Sequence, residues 1–433
     1  MEAAFGQAVD RRDLRIAVIG LGYVGLPLLI RLGGLGFPVL GLDASAERLA
    51  LIADGRSPIR HIPDAEVQGL IDAGCRFGAD YADTATADVI IVCVPTPLTA
   101  NRIPDMSHVE AVAQGLRPHL RAGQMIVLES TVYPGATEEH FRPIIEAAGL
   151  VPGRDVCLAY SPEREDPGNA AYSIHNTPKV CGGLTETCLA RAAAFYGAIS
   201  SQVVPVSSLK TAEMTKLLEN IHRCVNIGLV NEMKVVADRM GVDVHEVISA
   251  AATKPFGFTA YWPGPGLGGH CIPIDPYYLS WKAREYGVDT RFVELAGQVN
   301  EAMTGFVVGK VTLALNDQGL SVRGARVLVC GLAYKKNVDD LRKSPALPII
   351  DQLRALGAHL EFDDRYVTEL NRTEVPSDLR QVDVAVVGAQ GYDCVVLVTD
   401  HDYYDFDRLL SEAPALVDTR GRYRRAAPGL YGA

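Results

Sequence analysis

The chain has 433 residues, 48% of them apolar, a length that predicts about three domains with sizeable packed cores. Acidic residues outnumber basic ones 52 to 41, which argues against a nucleic-acid partner or an anionic membrane surface, although a local basic pocket for a phosphate stays open. The N-terminal "MEAAFGQAVDRRDLR" has no apolar signal core, and no later run reaches the roughly 18 uncharged apolar residues of a spanning helix, so the expectation is a soluble cytoplasmic protein.

Nine cysteines form no CxxC pair, show no regular spacing and are odd in number, which speaks against both a disulfide framework and a metal site. Most lie in apolar stretches such as "VIIVCVPTP" and "RVLVCGLAY", where cysteine behaves as a small buried hydrophobe.

Residues 1–205 read as alternating strands and helices. "LRIAVIGLG" is a short apolar run ending in glycines, helical spacing follows to Leu35, and "FPVLGLD" is a second run ending in an acid. The runs "ADVIIVCVP", "GQMIVLEST" and "DVCLAYSPE" recur after helix-like spacers, as a doubly wound parallel sheet requires. Residues 206–316 change character. From Ser208 to Met240 there is no proline and apolar residues recur at helical spacing, which predicts one long helix capped by Ser207 or Ser208 and ended by Gly241. A Gly- and Pro-rich loop from 255 to 276 and a second helical stretch to about Leu315 complete this segment. Residues 317–433 restart the α/β pattern with "GARVLVCGLAY", "AHLEFDD", "DCVVLVTDH" and "PALVDTRG". The fold class is therefore α/β, with two Rossmann-like doubly wound domains joined by a long central helix.

"GLGYVG" supplies GxGxxG as Gly20, Gly22 and Gly25, with Tyr23 and Val24 between, directly after a strand and opening a helix. Such glycines let the backbone approach a pyrophosphate at a helix N-terminus. Asp43 follows about 20 residues on, where a carboxylate accepts hydrogen bonds from an adenosine ribose and favours NAD over NADP. Arg48 either lies across the adenine or is a solvated helix-surface arginine. "VPTP" and "ESTV" end parallel strands, where ligands collect. Thr96 and Thr131 are thus cofactor or water contacts, or else cap and turn hydroxyls.

On the long helix, Lys216, Asn220 and Arg223 stand at i, i+4 and i+7 and share a face that continues into Cys224, Ile227 and Asn231. The stripe is either cleft-facing or a solvated surface. In "GPGLGGHCIPIDP" the glycines at 264, 266, 268 and 269 let backbone amides pass close to a ligand, and Asp275 lies four residues beyond Cys271. A thiolate near cationic Lys216 would be reactive at neutral pH, and a structural cysteine in a proline-rich turn is the alternative. His270 reads more simply as a histidine that hydrogen-bonds loop backbone.

Taken in order, "GLGYVG", "VPTP", "ESTVYPG", "YSPERE", "EMTKLLEN", "GGHC" and "GLAYKKNVDDLRKSP" resemble the UDP-glucose/GDP-mannose dehydrogenase family over essentially the whole chain. The resemblance implies NAD as cofactor and a nucleotide-sugar substrate whose C6 alcohol becomes a carboxylate with two successive hydride transfers. It assigns Lys216 and Asn220 to alkoxide stabilisation, Cys271 to a thiohemiacetal and thioester, and Asp275, Glu163 and Thr131 to the hydrolytic water. By the same resemblance Arg164, Glu165, Arg223, Gly268, Tyr334 and Lys335 contact substrate, and Arg342 reaches the cofactor from this subunit or a neighbour. A homodimer or higher homo-oligomer built on the central helices is expected. His270 before the cysteine and Ile274 before Asp275, with "SPEREDPGN", look like the UDP-N-acetylglucosamine 6-dehydrogenase branch. UDP-glucose or dTDP-glucose is the alternative substrate. A β-hydroxyacid dehydrogenase that performs one oxidation is the alternative class, and it leaves Cys271 and the third segment unexplained.

Overall fold

The computed structural model describes residues 2–59, 62–164, 173–269, 272–368 and 372–433. They divide into two compact units, Met1–Glu219 with Tyr277–Val288, and Asn220–Pro276 with Asp289–Ala433.

The first unit holds an eight-stranded sheet of β1 (Ile16–Ile19), β2 (Val39–Leu42), β3 (Arg76–Gly78), β4 (Val89–Val92), β5 (Met125–Leu128), β6 (Cys157–Tyr160), β7 (Lys179–Gly183) and β8 (Val203–Pro205). Its order is β3-β2-β1-β4-β5-β6-β7-β8. Strands β1, β2, β4, β5 and β6 are buried along their whole length, which is why they read as unbroken apolar runs and not as alternation. The chain reverses between β1 and β4, and this switch point faces the turn that leads into helix α1 (Gly25–Gly34).

One pairing departs from the expected all-parallel sheet: β7 runs antiparallel to β6. A parallel return needs a crossover element, and none lies among the described residues between these strands, whereas helix α3 (Glu186–Gly197) supplies one between β7 and the parallel β8. Helix α2 (Ala136–Ala147) follows β5, and its first turn is capped from a distance: Glu213 accepts from the N–H groups of Gly135 at 2.5 Å and Thr137 at 2.9 Å.

Helix α4 runs unbroken over Leu209–Met240. Ser208 Oγ accepts from Thr211 N–H at 3.1 Å, and Gly241, with φ +69°, takes the left-handed turn that ends it, both as the sequence predicts. Helix α5 (Asp275–Glu285) and helix α6 (Arg291–Asn316) follow. In the second unit α4 and α6 approach closely at Gly228, where a Cβ would stand 3.3 Å from the Ala296 backbone.

The second unit's sheet comprises β9 (Arg326–Cys330), β10 (His359–Asp363), β11 (Arg380–Gln381), β12 (Cys394–Leu397), β13 (Leu416–Asp418) and β14 (Leu430–Gly432). Its order is β11-β10-β9-β12-β13-β14 and every pairing is parallel. Among the described residues no helix is long and apolar enough to cross a membrane, and no cluster of three or more His, Cys, Asp or Glu side chains could hold a metal ion.

Candidate active site

In the first unit the chain between β1 and α1 makes the tight turn that the glycine pattern predicts. Gly20 has φ +93°, and a Cβ there would lie 2.5 Å from the Cys93 carbonyl oxygen; at Gly25 it would lie 1.8 Å from the Gly20 oxygen. These two glycines are required by the protein's own packing. Gly22 differs, because a Cβ there meets nothing within 4 Å, so its backbone faces open space. Helix α1 has no side-chain cap, and Tyr23 and Val24 pack partly buried against the core. An uncapped helix start with a bare, open glycine suits a pyrophosphate.

Asp43, just beyond β2, is buried and accepts from Leu21 N–H at 2.7 Å, from Ser45 N–H at 2.8 Å and from Arg48 at 2.8 Å. Arg48, its side chain partly exposed, is thus not a free surface arginine; it pairs with the acid just beyond β2. Thr96 is buried after β4, and Thr131 is half-buried after β5.

Beyond the ends of β5 and β6 and at the start of β7 a cleft with about 340 Å³ of empty space opens between Val24, Glu129, Glu163, Arg164 and Lys179. Lys216, buried, donates to the Glu163 carbonyl oxygen and stands 3.8 Å from the Glu163 carboxylate. Arg164 donates to the Pro178 carbonyl at 2.6 Å and pairs with Glu219 at 2.7 Å.

The cleft also exposes a feature that residue spacing does not reveal. The buried Glu129 accepts from Lys179 at 2.7 Å and from the Tyr196 hydroxyl at 2.5 Å. Burial and the Glu129 charge push the Tyr196 hydroxyl well above its ordinary pKa. The signal was present in "MIVLEST": an acid ending a wholly buried strand needs a cation, but its partner lies far along the chain.

In the second unit, the Asn220 amide donates to the buried Asp275 carboxylate, and Arg223 donates to the Asn220 carbonyl. The helix stripe resolves into parts. Lys216, Asn220, Cys224 and Asn231 are buried, whereas Arg223 is exposed at its margin. Asn231 accepts from Gly264 N–H at 2.9 Å and donates to Asn300 at 2.8 Å, anchoring the start of the glycine loop. Further along that loop, Gly269 N–H donates to the Arg342 carbonyl at 2.8 Å. A Cβ at Gly268 would stand 2.3 Å from Tyr334 Cβ, and one at Gly269 would stand 3.0 Å from its ring. Tyr334 and the half-buried Lys335 belong to the connection after β9, and the Arg342 guanidinium grips Asp340 at 2.6 and 2.9 Å. Glu165, His270 and Cys271 lie outside the described residues.

Three family models match in succession: the UDP-glucose/GDP-mannose dehydrogenase family NAD binding domain over residues 14–200, the central domain over 210–302 and the UDP binding domain over 328–425. The chain belongs to the UDP-glucose/GDP-mannose dehydrogenase family. It is an NAD-dependent nucleotide-sugar dehydrogenase, and its NAD-binding domain carries the Gly20–Gly25 turn. A UDP-N-acetyl-D-glucosamine 6-dehydrogenase from Pseudomonas aeruginosa is 33% identical over 398 residues, 91% of this chain and 92% of that protein. Among solved structures, a UDP-D-ManNAc dehydrogenase from Pyrococcus horikoshii superposes with TM-score 0.87 at 31% identity, covering 97% of this chain and 99% of the other. A UDP-glucose dehydrogenase from Pyrobaculum islandicum superposes with TM-score 0.86 at 25% identity, covering 97% of each chain. The β-hydroxyacid dehydrogenase alternative gives way to the match of the UDP binding domain on the third segment.

Proposed function

We propose that this dehydrogenase oxidises the C6 alcohol of UDP-N-acetylglucosamine to the carboxylate, releasing four electrons as two hydrides. The backbone at Gly20, Gly22 and Gly25 holds the dinucleotide diphosphate, with Asp43 toward the ribose. Bound there, NAD supplies the hydride acceptor. Lys216 and Asn220 stabilise the alkoxide as the alcohol loses its proton and first hydride. The Cys271 thiolate then adds to the aldehyde carbon, and the resulting thiohemiacetal loses the second hydride to become a thioester. Asp275, Glu163 and Thr131 hold the water that cleaves it, returning the thiolate and releasing the carboxylate. Overall, one alcohol, two NAD⁺ and one water give one carboxylate, two NADH and three protons.

The observation that supports this reading most is the buried hydrogen bond from Asn220 to Asp275, which joins two groups of the scheme around the cysteine loop. The acetamido sugar is favoured by the Pseudomonas aeruginosa and Pyrococcus horikoshii relatives, whose names specify one. UDP-glucose is the second reading, favoured by the likeness to the Pyrobaculum islandicum enzyme, and dTDP-glucose stays beside it. The test is a stoichiometry with excess NAD and limiting UDP-N-acetylglucosamine, UDP-glucose or dTDP-glucose. Two NADH per sugar with the acetamido sugar fastest upholds the proposal. One NADH per sugar removes Cys271 from its role, and a faster glucose substrate overturns the branch.

We also propose three functional segments, 1–205, 206–316 and 317–433, cytoplasmic residence, and a homodimer through α4, which exposes Leu229, Met233 and Met240. Light scattering of the purified chain tests the dimer.

A further inference from the structure

The carboxyl edge of the second sheet buries a polar pair that the proposed chemistry does not use. His401 and Asp364 are 0% and 1% exposed. The Asn337 N–H donates to His401 Nδ1 at 2.9 Å, so that nitrogen carries no proton and the ring proton resides on Nε2. Nε2 then donates to Asp364 Oδ2 at 3.1 Å. The same carboxylate oxygen accepts from Leu332 N–H at 2.6 Å and Ala333 N–H at 2.8 Å, and Oδ1 accepts from Tyr366 N–H at 2.8 Å. Tyr403 stacks on the imidazole with centroids 5.4 Å apart and planes at 13°, and Tyr366 leans on it at 4.9 Å. Thr399 Oγ1 adds a hold by donating to the Ala333 carbonyl at 2.6 Å.

Three N–H groups of the connection after β9, those of Leu332, Ala333 and Asn337, therefore end on one acid–imidazole pair. Between them lie Tyr334 and Lys335. Tyr334 in turn occupies the space above Gly268, where no Cβ fits, and lays its ring 3.0 Å from where a Gly269 Cβ would stand. The path thus runs from Asp364 and His401, through the 332–337 backbone, to Tyr334 and the glycine loop.

We propose that Asp364 and His401 are positioning residues for nucleotide-sugar binding, fixing the one backbone path that presents Tyr334 and Lys335. This rests on the substrate-binding role proposed for Tyr334 and Lys335. Changing the ring strips the part-buried Asn337 N–H of its acceptor and the buried Asp364 carboxylate of a donor, so it should shift the loop and leave the first unit's glycine turn alone.

The test uses the full chain with His401→Leu, His401→Gln and Thr399→Val, measuring UDP affinity by calorimetry, NAD affinity by fluorescence, and KM and kcat for the nucleotide sugar. His401→Leu should weaken UDP binding and raise the sugar KM by about tenfold, a typical consequence of one unsatisfied buried group. His401→Gln, which keeps a donor and an acceptor, should recover part of that loss, and NAD affinity should stay within about twofold of wild type in all three. Thr399→Val conserves shape and should shift UDP affinity in the same direction even if His401→Leu does not fold. Unchanged UDP affinity and KM in the variants that fold, beside a wild type that binds UDP, overturns the positioning role. Equal weakening of UDP and NAD shows general loss of structure and overturns it too. A wild type that binds no UDP overturns the substrate reading, and this proposal with it.

Discussion

Glu129 holds Lys179 at 2.7 Å with its carboxylate side chain 1% and the lysine side chain 10% exposed. Two charges this far out of water are tolerated because each satisfies the other and the Tyr196 hydroxyl completes the acid's shell. Removing one partner strands the other. Glu129→Gln should therefore destabilise the first unit by about 3 kcal/mol, and adding Lys179→Met should restore much of it. Urea unfolding of the two variants checks this; equal midpoints for wild type and Glu129→Gln would refute it.

The turn between β1 and α1 separates two kinds of glycine. Gly25→Ala places a methyl on the Gly20 carbonyl and should prevent the turn from closing, with loss of both thermal stability and NAD binding. Gly22→Ala faces open space, so the melting temperature should hold while NAD affinity falls by about tenfold or more. Paired melting and fluorescence titrations distinguish the two, and equal behaviour would contradict the assignment.

Gly268→Ala drives a methyl into Tyr334 and should displace the loop that leads to Cys271. A drop in kcat of about a hundredfold is expected, with NAD affinity unaltered, because a displacement of about 1 Å near reacting groups has that effect. Steady-state kinetics at saturating NAD is the measurement.

His245 is buried, stacked on Trp262 with planes at 13°, and burial together with the Lys234 and Arg424 charges lowers its pKa to about 4, Asp243 opposing. The folded pKa lies below the unfolded value of 6.5, so unfolding takes up a proton in this window. Stability should fall as the pH drops from 6.5 towards 4, and His245→Phe should flatten that limb. Urea midpoints measured across that range decide the matter.

Much of this arrangement is legible in residue order. Unbroken apolar runs announced the buried strands, Ser208 and Gly241 marked the ends of the long helix, and the glycine hexapeptide located the tight turn after β1. Other features were hidden because they depend on contacts between distant segments. Nothing local pairs Glu129 with Lys179 or Asp364 with His401, and helical periodicity put Arg223 on the same face as Asn220 without showing that it sits exposed at its edge. The antiparallel β7 escaped because apolar runs carry no sign of strand direction.

The chain makes its strand–glycine–acid turn twice. Gly20, Leu21 and Asp43 in the first sheet answer to Gly331, Leu332 and Asp364 in the second, with the leucine N–H donated to the acid in both. In the second copy Ala333 and Lys336 stand where Gly22 and Gly25 stand in the first, and His401 occupies the acid. Among the described residues, then, the first copy keeps the open glycine turn proposed to seat the dinucleotide, and the second does not. The two-hydride reaction proposed above would use that seat twice, so its half-oxidised sugar would wait through an exchange of cofactor. A covalent tether to sulfur is a way of making it wait.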